Sequence, residues 1–452
     1  MINHYDIAYG LGVGVSAPYW LIKGSARRKV LSAFRHRMGR LADAGRDLAK
    51  PAVMIHAVSM GEINATPALV KALQTANPAP HVIISTTTDT GYDRAMHLYG
   101  ETTGLTVIRY PLDFSKAVSR VLDVIRPDVV VLMELEVWPN FMRACIRRQI
   151  PVVLINGRLT PKSFKRYRMI KPVAASMFRR LTGICVQDET YANRFIELGA
   201  SPGRVLITGN MKFDTAQVAG RVAGDDELAT TLGLFPGAEP IWVCGSTGPG
   251  EEEIILQAYR QLLGKHSRLR LVIVPRKPAR FDEVAAKIED ARFICVRRSQ
   301  AQAGGRVAMP SGSAVPPVIL GDTMGELRKF YSMADVVFVG RSLTNLGASQ
   351  HGSDMIEPAA LGKPVIVGPY TANFSEAMNK FRAADAVMEV VDEPTLVQTV
   401  SVLLYSPDQA AAMARRAQQV VVKEQGATLR HAEVIVGLLG KRARGMRAEL
   451  AM

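Results

Sequence analysis

The sequence predicts an α/β protein made of two Rossmann-like halves in tandem, each built on a parallel sheet. Three observations carry that expectation. From residue 51 onward, short β-branched runs alternate with longer amphipathic stretches, the pattern of repeated βαβ units. Runs such as Val129-Val130-Val131-Leu132-Met133 are apolar without interruption, as strands buried on both faces are. The chain has 452 residues, 48% of them hydrophobic, which is more than one ordinary core accommodates.

Taken in order, the strand candidates of the first half are 53–58, 81–86, 105–110, 128–133, 151–155, 183–186 and 204–207. Those of the second are 241–244, 269–274, 293–296, 318–320, 336–339, 364–367 and 386–391. Between them, Gln217–Pro240 is rich in Gly and Ala and lacks strand character, so the linker is expected there. The expected division is an anchor and basic segment over 1–50, a first domain over 51–216, a linker over 217–240 and a second domain over 241–452. The pyrophosphate fingerprint of dinucleotide folds is missing: Gly12-Val13-Gly14-Val15-Ser16-Ala17 has the spacing, but no strand precedes it.

The chain carries 56 basic against 41 acidic residues, a net +15, which suits anionic partners. Nine of the basic residues crowd into 23–50, beside only Asp43 and Asp47. They follow an uncharged run, Ile7 to Ile22, that includes Tyr9, Tyr19 and Trp20. As a helix this run reaches about 24 Å, short of a hydrocarbon core of roughly 30 Å. No basic residue precedes it, unlike a secretory signal. The expectation is an N-terminal anchor that dips into or marginally spans a membrane, its basic flank on anionic lipid of the cytoplasmic face. The alternative is an ordinary first helix of the fold. Charge concentrated beside an apolar run favours lipid over nucleic acid, and no RNA-binding signature appears. Cys145, Cys185, Cys244 and Cys295 show neither metal spacing nor a disulfide framework, and the eight histidines form no H-x-x-x-H pair. No protein-ligated metal and no cofactor are expected.

Polar motifs follow the strands, where open α/β sheets bind ligands. The first half offers Ser59-Met60-Gly61-Glu62, Glu134-Leu135-Glu136 and Gly209-Asn210-Met211-Lys212. Glu62 reads either as a first-turn glutamate favoured by the helix dipole or as a catalytic carboxylate. Glu134 adds a second carboxylate and Lys212 a cation, which suits proton abstraction and charge stabilisation. The second half offers Gly245–Glu251, Pro275-Arg276, Gly321–Glu326 and Glu357 at a Pro-Ala-Ala helix start. Small loops at helix starts near Arg276 suit a nucleotide phosphate, and Glu357 suits ribose hydroxyls. An acceptor on the first half and a nucleotide on the second, with an interdomain cleft between them, is the logic of a GT-B glycosyltransferase.

On these motifs the chain resembles the 3-deoxy-D-manno-octulosonic acid (Kdo) transferases, which attach Kdo from CMP-Kdo to the lipid A precursor in lipopolysaccharide biosynthesis. The segments that carry the resemblance are HAVSMGE (56–62), TTTDTGYDRA (86–95), MELEVWPN (133–140), INGRLTPKS (155–163), GNMKFD (209–214), GSTGPGEEE (245–253), VPRKPARF (274–281), GDTMGEL (321–327) and IEPAALGKPVIVGPYTANF (356–374). The resemblance implies that Glu62 is the general base of an inverting transfer and that Glu134 and Lys212 stabilise the transition state. It implies nucleotide contacts from Pro275, Arg276, Met324, Gly325, Glu326, Asp354, Met355, Ile356 and Glu357. Three positions depart from the family pattern. Gly248 and Lys277 stand where the family usually has His, and Asp354 ends a longer loop where it usually has Asn. A carboxylate there accepts but does not donate hydrogen bonds. The competing readings are a related GT-B transferase with another nucleotide sugar or a modified lipid acceptor, and a non-catalytic protein that binds anionic lipid.

Overall fold

The computed structural model describes residues 3–22, 33–41, 46–301, 315–347 and 350–450, with the side chains of Ala8, 15–22 and 441–450 left aside. Of the basic segment 23–50, residues 23–32 and 42–45 lie outside the described residues. The chain forms two compact units, Met1–Thr215 with Gln425–Met452, and Ala216–Glu424.

The first unit is built on β1 (Ala52–His56), β2 (His81–Thr86), β3 (Leu105–Arg109), β4 (Val129–Met133), β5 (Val152–Gly157), β6 (Gly183–Val186) and β7 (Val205–Ile207). They form one parallel sheet in the order β3-β2-β1-β4-β5-β6-β7. Alternation along β1 explains its unbroken apolar run. Ala52 and Met54 enter the core on one face of the sheet, and Val53 and Ile55 enter the core on the other. The order reverses between β1 and β4, so the loops after these two strands flank the crevice at the switch point.

The second unit repeats the architecture with β8 (Ile241–Thr247), β9 (Arg270–Pro275), β10 (Cys295–Arg297), β11 (Val318–Leu320), β12 (Val336–Val339), β13 (Val365–Val367) and β14 (Met388–Glu389). Its sheet runs β10-β11-β9-β8-β12-β13-β14, all parallel, and reverses between β8 and β12. The α/β fold class expected from the sequence is therefore the one observed. The run at 386–391 contributes only Met388 and Glu389 to the ladder, because it lies at the sheet edge with both residues exposed.

The C-terminus departs from the expected division. The helix Ala427–Leu450, assigned from sequence to a second domain running to residue 452, belongs to the first unit. Ala427, Ala432 and Ile435 are buried against the sheet face that holds Val53 and Ile55. The polar contacts explain why. The Asp214 carboxylate accepts the backbone N–H of Gly426 at 2.6 Å and of Thr428 at 2.5 Å, satisfying donors at the helix start. His431 is buried, and its Nε2 accepts the Asn156 N–H at 2.9 Å while Nδ1 donates to the Ala427 carbonyl at 2.5 Å.

At the other end of the chain, His4–Ile22 is helical. Among the described residues no helix is long and apolar enough to cross a membrane. The first turn is part of the fold: buried Asp6 accepts Ser115 N and Ser115 Oγ, both at 2.7 Å, and Asn140 Nδ2 at 3.2 Å. Tyr9 packs edge-on to Phe114, while Ile7 and Leu11 are exposed.

His431→Ala is expected to cost about 2–4 kcal/mol in urea unfolding near neutral pH, by leaving the Asn156 N–H unpaired and opening a cavity. Burial pulls the imidazole down from 6.5 to about 4, so the unfolded chain takes up the proton first. The stabilisation is complete above about pH 6.5 and is lost as the pH falls toward 4. The stability gap between wild type and His431→Ala should narrow over that window. A gap independent of pH would contradict the role of Nε2 as a neutral acceptor.

Candidate active site

In the first unit, β1 ends at His56 and hands over through Ala57 and Val58 to the Met60–Gln74 helix, with Ser59 as its N-cap. Glu62 lies three residues past the cap, where a capping-box glutamate folds back. Its carboxylate accepts the Val58 N–H at 2.9 Å and the Ser59 hydroxyl at 3.0 Å. The helix-start reading is therefore realised, and the same side chain sits at the carboxyl end of the sheet. Burial, then the charge of Glu134, lift its pKa from 4.5 to about 7, with a smaller push from Glu136. The two hydrogen bonds pull the other way without cancelling the rise.

Glu134 is the first residue past β4, across the switch point from Glu62, with φ at +57°. Of the eight non-glycine residues with positive φ among the described residues, four stand at the carboxyl ends of strands: Glu134, Asn156, Ser246 and Arg341. The left-handed region is strained for L-residues, so the surrounding structure holds these four strand-end residues in place. Glu136 accepts the Trp138 indole N–H at 2.9 Å. Asn140 is structural. Its N–H and that of Phe141 donate to Asp113, whose carboxylate burial pushes up to about 6.

Lys212 follows β7 at the sheet edge, yet its loop returns toward the switch point. Asn156 Oδ1 accepts the Met211 N–H at 3.1 Å, and Asn210 Oδ1 accepts the Lys212 N–H at 3.0 Å. The short Lys212–Thr215 helix then packs on the Met60–Gln74 helix that carries Glu62. The structure thus brings Glu62, Glu134 and the Lys212 loop to one edge of the sheet. The sequence reading missed Asp113, Asp214 and His431, which hold the motif loops in place. Each acts across at least 27 residues of chain, so no local spacing marks it.

In the second unit a carboxylate again occupies the switch point. Glu251 is fully buried and accepts four backbone N–H groups: Gly248 at 2.8 Å, Arg341 at 2.6 Å, Ser342 at 2.8 Å and Leu343 at 2.9 Å. It ties the loop after β8 to the loop after β12. Glu252 is equally buried, in a bidentate pair with Arg280 at 2.7 and 3.0 Å. At Gly245 a Cβ would stand 2.3 Å from the Tyr331 hydroxyl, so only glycine fits. At Gly248 a Cβ would meet Leu346 at 2.8 Å and Arg341 at 2.9 Å. The space that a larger residue would take is filled by the Leu346 methyl and the aliphatic stem of Arg341. Burial first, and then the charge of Arg276, lower the Arg341 pKa.

The residues expected around a nucleotide divide into two kinds. Glu357 is lifted to about 7 by burial and by Asp354, against the pull of Arg328 and Arg276. Asp354 accepts the Ile356 N–H at 2.9 Å, a task for which an amide oxygen and a carboxylate serve equally, which accounts for Asp at this position. Arg276 and Met324 are exposed, and Gly325 has φ at +85°. Glu326, by contrast, is held by Arg298 at 3.0 and 3.1 Å, and Pro275, Met355 and Ile356 are buried.

The fold has counterparts among solved structures. A glycosyltransferase from Rickettsia africae ESF-5 covers 86% of this chain and 99% of its own, with a TM-score of 0.55 at 13% identity. UDP-GlcNAc 2-epimerase from Neisseria meningitidis, bound to UDP-GlcNAc, covers 86% of this chain and 100% of its own, with a TM-score of 0.57 at 16% identity. At these identities the likeness is one of fold, and the fold is GT-B. Sequence comparison is more specific. The family model described as 3-Deoxy-D-manno-octulosonic-acid transferase (kdotransferase) matches residues 32–215. The 3-deoxy-D-manno-octulosonic acid transferase of Haemophilus influenzae is 34% identical over 381 residues, spanning 84% of this chain and 85% of the relative. That of Bordetella pertussis is 33% identical over 415 residues, spanning 89% and 91%. The chain belongs to the Kdo transferase family and is a glycosyltransferase.

The coupling of Glu62 to Glu134 is directly measurable. A carbon-13 titration of the Glu62 carboxyl should show a midpoint near 7. Glu134→Gln removes a negative neighbour, favours the ionised form of Glu62 and should move that midpoint downward. An unmoved midpoint would show that burial alone sets it.

Proposed function

We propose that this enzyme moves Kdo from CMP-Kdo to a hydroxyl of a lipid A precursor, with inversion at the anomeric carbon and Glu62 as general base. The observation that carries the reading is a carboxylate at the switch point whose proton affinity is lifted to about 7. A base poised there takes a hydroxyl proton at neutral pH and is ionised often enough to be ready for it. In the proposed step the acceptor oxygen bonds to the anomeric carbon as its proton passes to Glu62. The bond from that carbon to the CMP phosphate oxygen breaks, and its electron pair leaves with CMP. One displacement with one base inverts the centre.

The neighbours suit the charges that develop. Positive charge builds at the sugar as the donor bond lengthens, and Glu134 offsets it while raising the affinity of Glu62 for the proton. The Lys212 cation is offered to the negative groups of donor and acceptor. On the second unit Arg276 and Arg341 suit the departing phosphate, and Glu357 suits the ribose hydroxyls.

A membrane-associated enzyme fits a lipid-borne acceptor, and one surface of the first unit supports it. Met169, Ile170 and Val173 are exposed at 80%, 50% and 41%. They sit where the Pro161–Met169 and Lys171–Phe178 helices meet, in a stretch with Lys162, Lys165, Arg166, Arg168, Lys171, Arg179, Arg180 and no acidic residue. Apolar side chains ringed by cations match an anionic bilayer surface. We place the enzyme on the cytoplasmic face of the inner membrane on that basis, with the 23–50 segment as a second basic contact.

Glu62→Gln should lower kcat by about 10²–10⁴ while leaving the fold and the acceptor KM nearly unchanged, assayed by mass analysis of the lipid product. In the wild type kcat/KM should rise with pH through about 7 and level off above it, because the base acts ionised. Unchanged turnover in Glu62→Gln would overturn the base assignment. Met169→Glu with Ile170→Glu should reduce sedimentation with phosphatidylglycerol vesicles about tenfold and raise the KM for lipid-borne acceptor only.

A further inference from the structure

The first unit has a small cavity that the chemistry at Glu62 does not use. It lies at the carboxyl ends of β2 and β3 and has a volume of about 170 Å³. That is the room of about five waters. Phe34 and Leu112 line its apolar side, and Arg37, Arg109, Asp89 and Thr87 its polar side.

The charges in this cavity do not balance. Arg109 pairs with Asp89 at 2.7 Å and lies 4.3 Å over the Tyr92 ring. No described carboxylate lies within ion-pair distance of Arg37. Its backbone and side chain are nevertheless fixed: the Arg37 carbonyl accepts the Leu112 N–H at 2.8 Å, and its Nε donates to the Tyr110 carbonyl at 3.2 Å. Among the described residues, the one carboxylate of the cavity wall, Asp89, is taken by Arg109. Burial first disfavours the charged form of Arg37; Tyr9 offsets part of this, Arg109 adds to it, and Asp89 offsets it least. Helix anchoring alone needs one hydrogen bond from Nε and no cation; among the described residues the terminal fork of Arg37 meets no carboxylate. The Asp89–Tyr99 helix begins at the same wall, and its positive dipole end adds to the field.

The cavity is coupled to the base through a single residue. The Val58 N–H is bound by Glu62, and the Val58 carbonyl accepts Thr88 N at 3.2 Å, Thr88 Oγ1 at 3.0 Å and Thr86 Oγ1 at 3.1 Å. A ligand held at Arg37 is thus registered against Glu62 by the backbone of two adjacent loops.

We propose that this cavity is the subsite for a phosphate monoester carried by the acceptor, with Arg37 as its principal contact and Arg109 and Thr87 completing the cradle. The proposal rests on the reading that the first unit binds the acceptor. A phosphate supplies the missing negative charge and matches guanidinium forks in geometry. Phe34 and Leu112 favour a phosphate attached to an amphiphile over the free ion.

The test compares wild type, Arg37→Gln and Arg37→Lys with acceptor lipids that carry or lack each phosphate. Removing the recognised phosphate should raise the wild-type acceptor KM about tenfold to a hundredfold. Arg37→Gln should raise the KM for the intact acceptor by the same factor, the penalty should shrink on the acceptor without that phosphate, and Arg37→Lys should recover part of it. An equal penalty on both acceptors, or none on either, would overturn the proposal. Vesicles of phosphatidylglycerol separate the other source of phosphate: if Arg37→Gln weakens vesicle binding yet leaves the acceptor KM ratio untouched, the site reads bulk lipid and the proposal fails. A direct arm is independent of turnover. Titration of the full-length protein with inorganic phosphate, followed by nitrogen-15 shifts of the Arg109 side chain and the Thr87 N–H, should show binding that Arg37→Gln abolishes. Binding there with no transfer to any acceptor would sink the proposed function and leave the phosphate subsite standing; no binding and no phosphate dependence would sink the subsite alone.

Discussion

Where neighbouring parallel strands part at their carboxyl ends, backbone N–H groups lose their ladder partners, and in both units a glutamate carboxylate supplies one. Glu62 takes the Val58 N–H beside the β1 and β4 reversal, and Glu251 gathers four such groups beside the β8 and β12 reversal. In the second unit this carboxylate ties the loop after β8 to the loop after β12. An unpaired N–H there would cost about 1–3 kcal/mol, and each loop has several to satisfy. The constraint is one of backbone geometry, and it explains why acidic residues stand at the start of both first helices.

The same requirement has two outcomes. Glu251 has no exposure and all of its acceptor capacity is turned to the backbone, so it shapes a loop. Glu62 makes two hydrogen bonds, stays half-buried and faces the negative charge of Glu134, so its proton affinity sits near neutral. A carboxylate that serves first as a helix cap is thereby available as a base. The cap also holds it at a fixed place, which a base on a free loop lacks.

Strand positions were legible because both sheets are parallel and covered on both faces, so buried strands read as unbroken apolar runs. Some candidate positions were legible as well: Glu134 and Arg276 follow strands directly, and Glu62 lies in the first turn of the helix after β1. What escaped the sequence acts at long range. Asp214 caps a helix that starts 213 residues later in the chain, and the Nε2 of His431 meets the N–H of Asn156 across 275 residues. The C-terminal helix looked like a continuation of the second half because its predecessor ends only a few residues before it. Glu326 carried the pattern of a ligand contact, yet Arg298 holds it.

The sequence by itself determined the two parallel sheets, the family and the carboxylates that follow the strands, since alternation, apolar runs and motif spacing are local properties of a chain. Only the tertiary structure decided the proton affinity of Glu62, the return of the last helix to the first unit and the proximity of Arg37 to Arg109. Burial and charge proximity set these, and both depend on groups far apart in the chain.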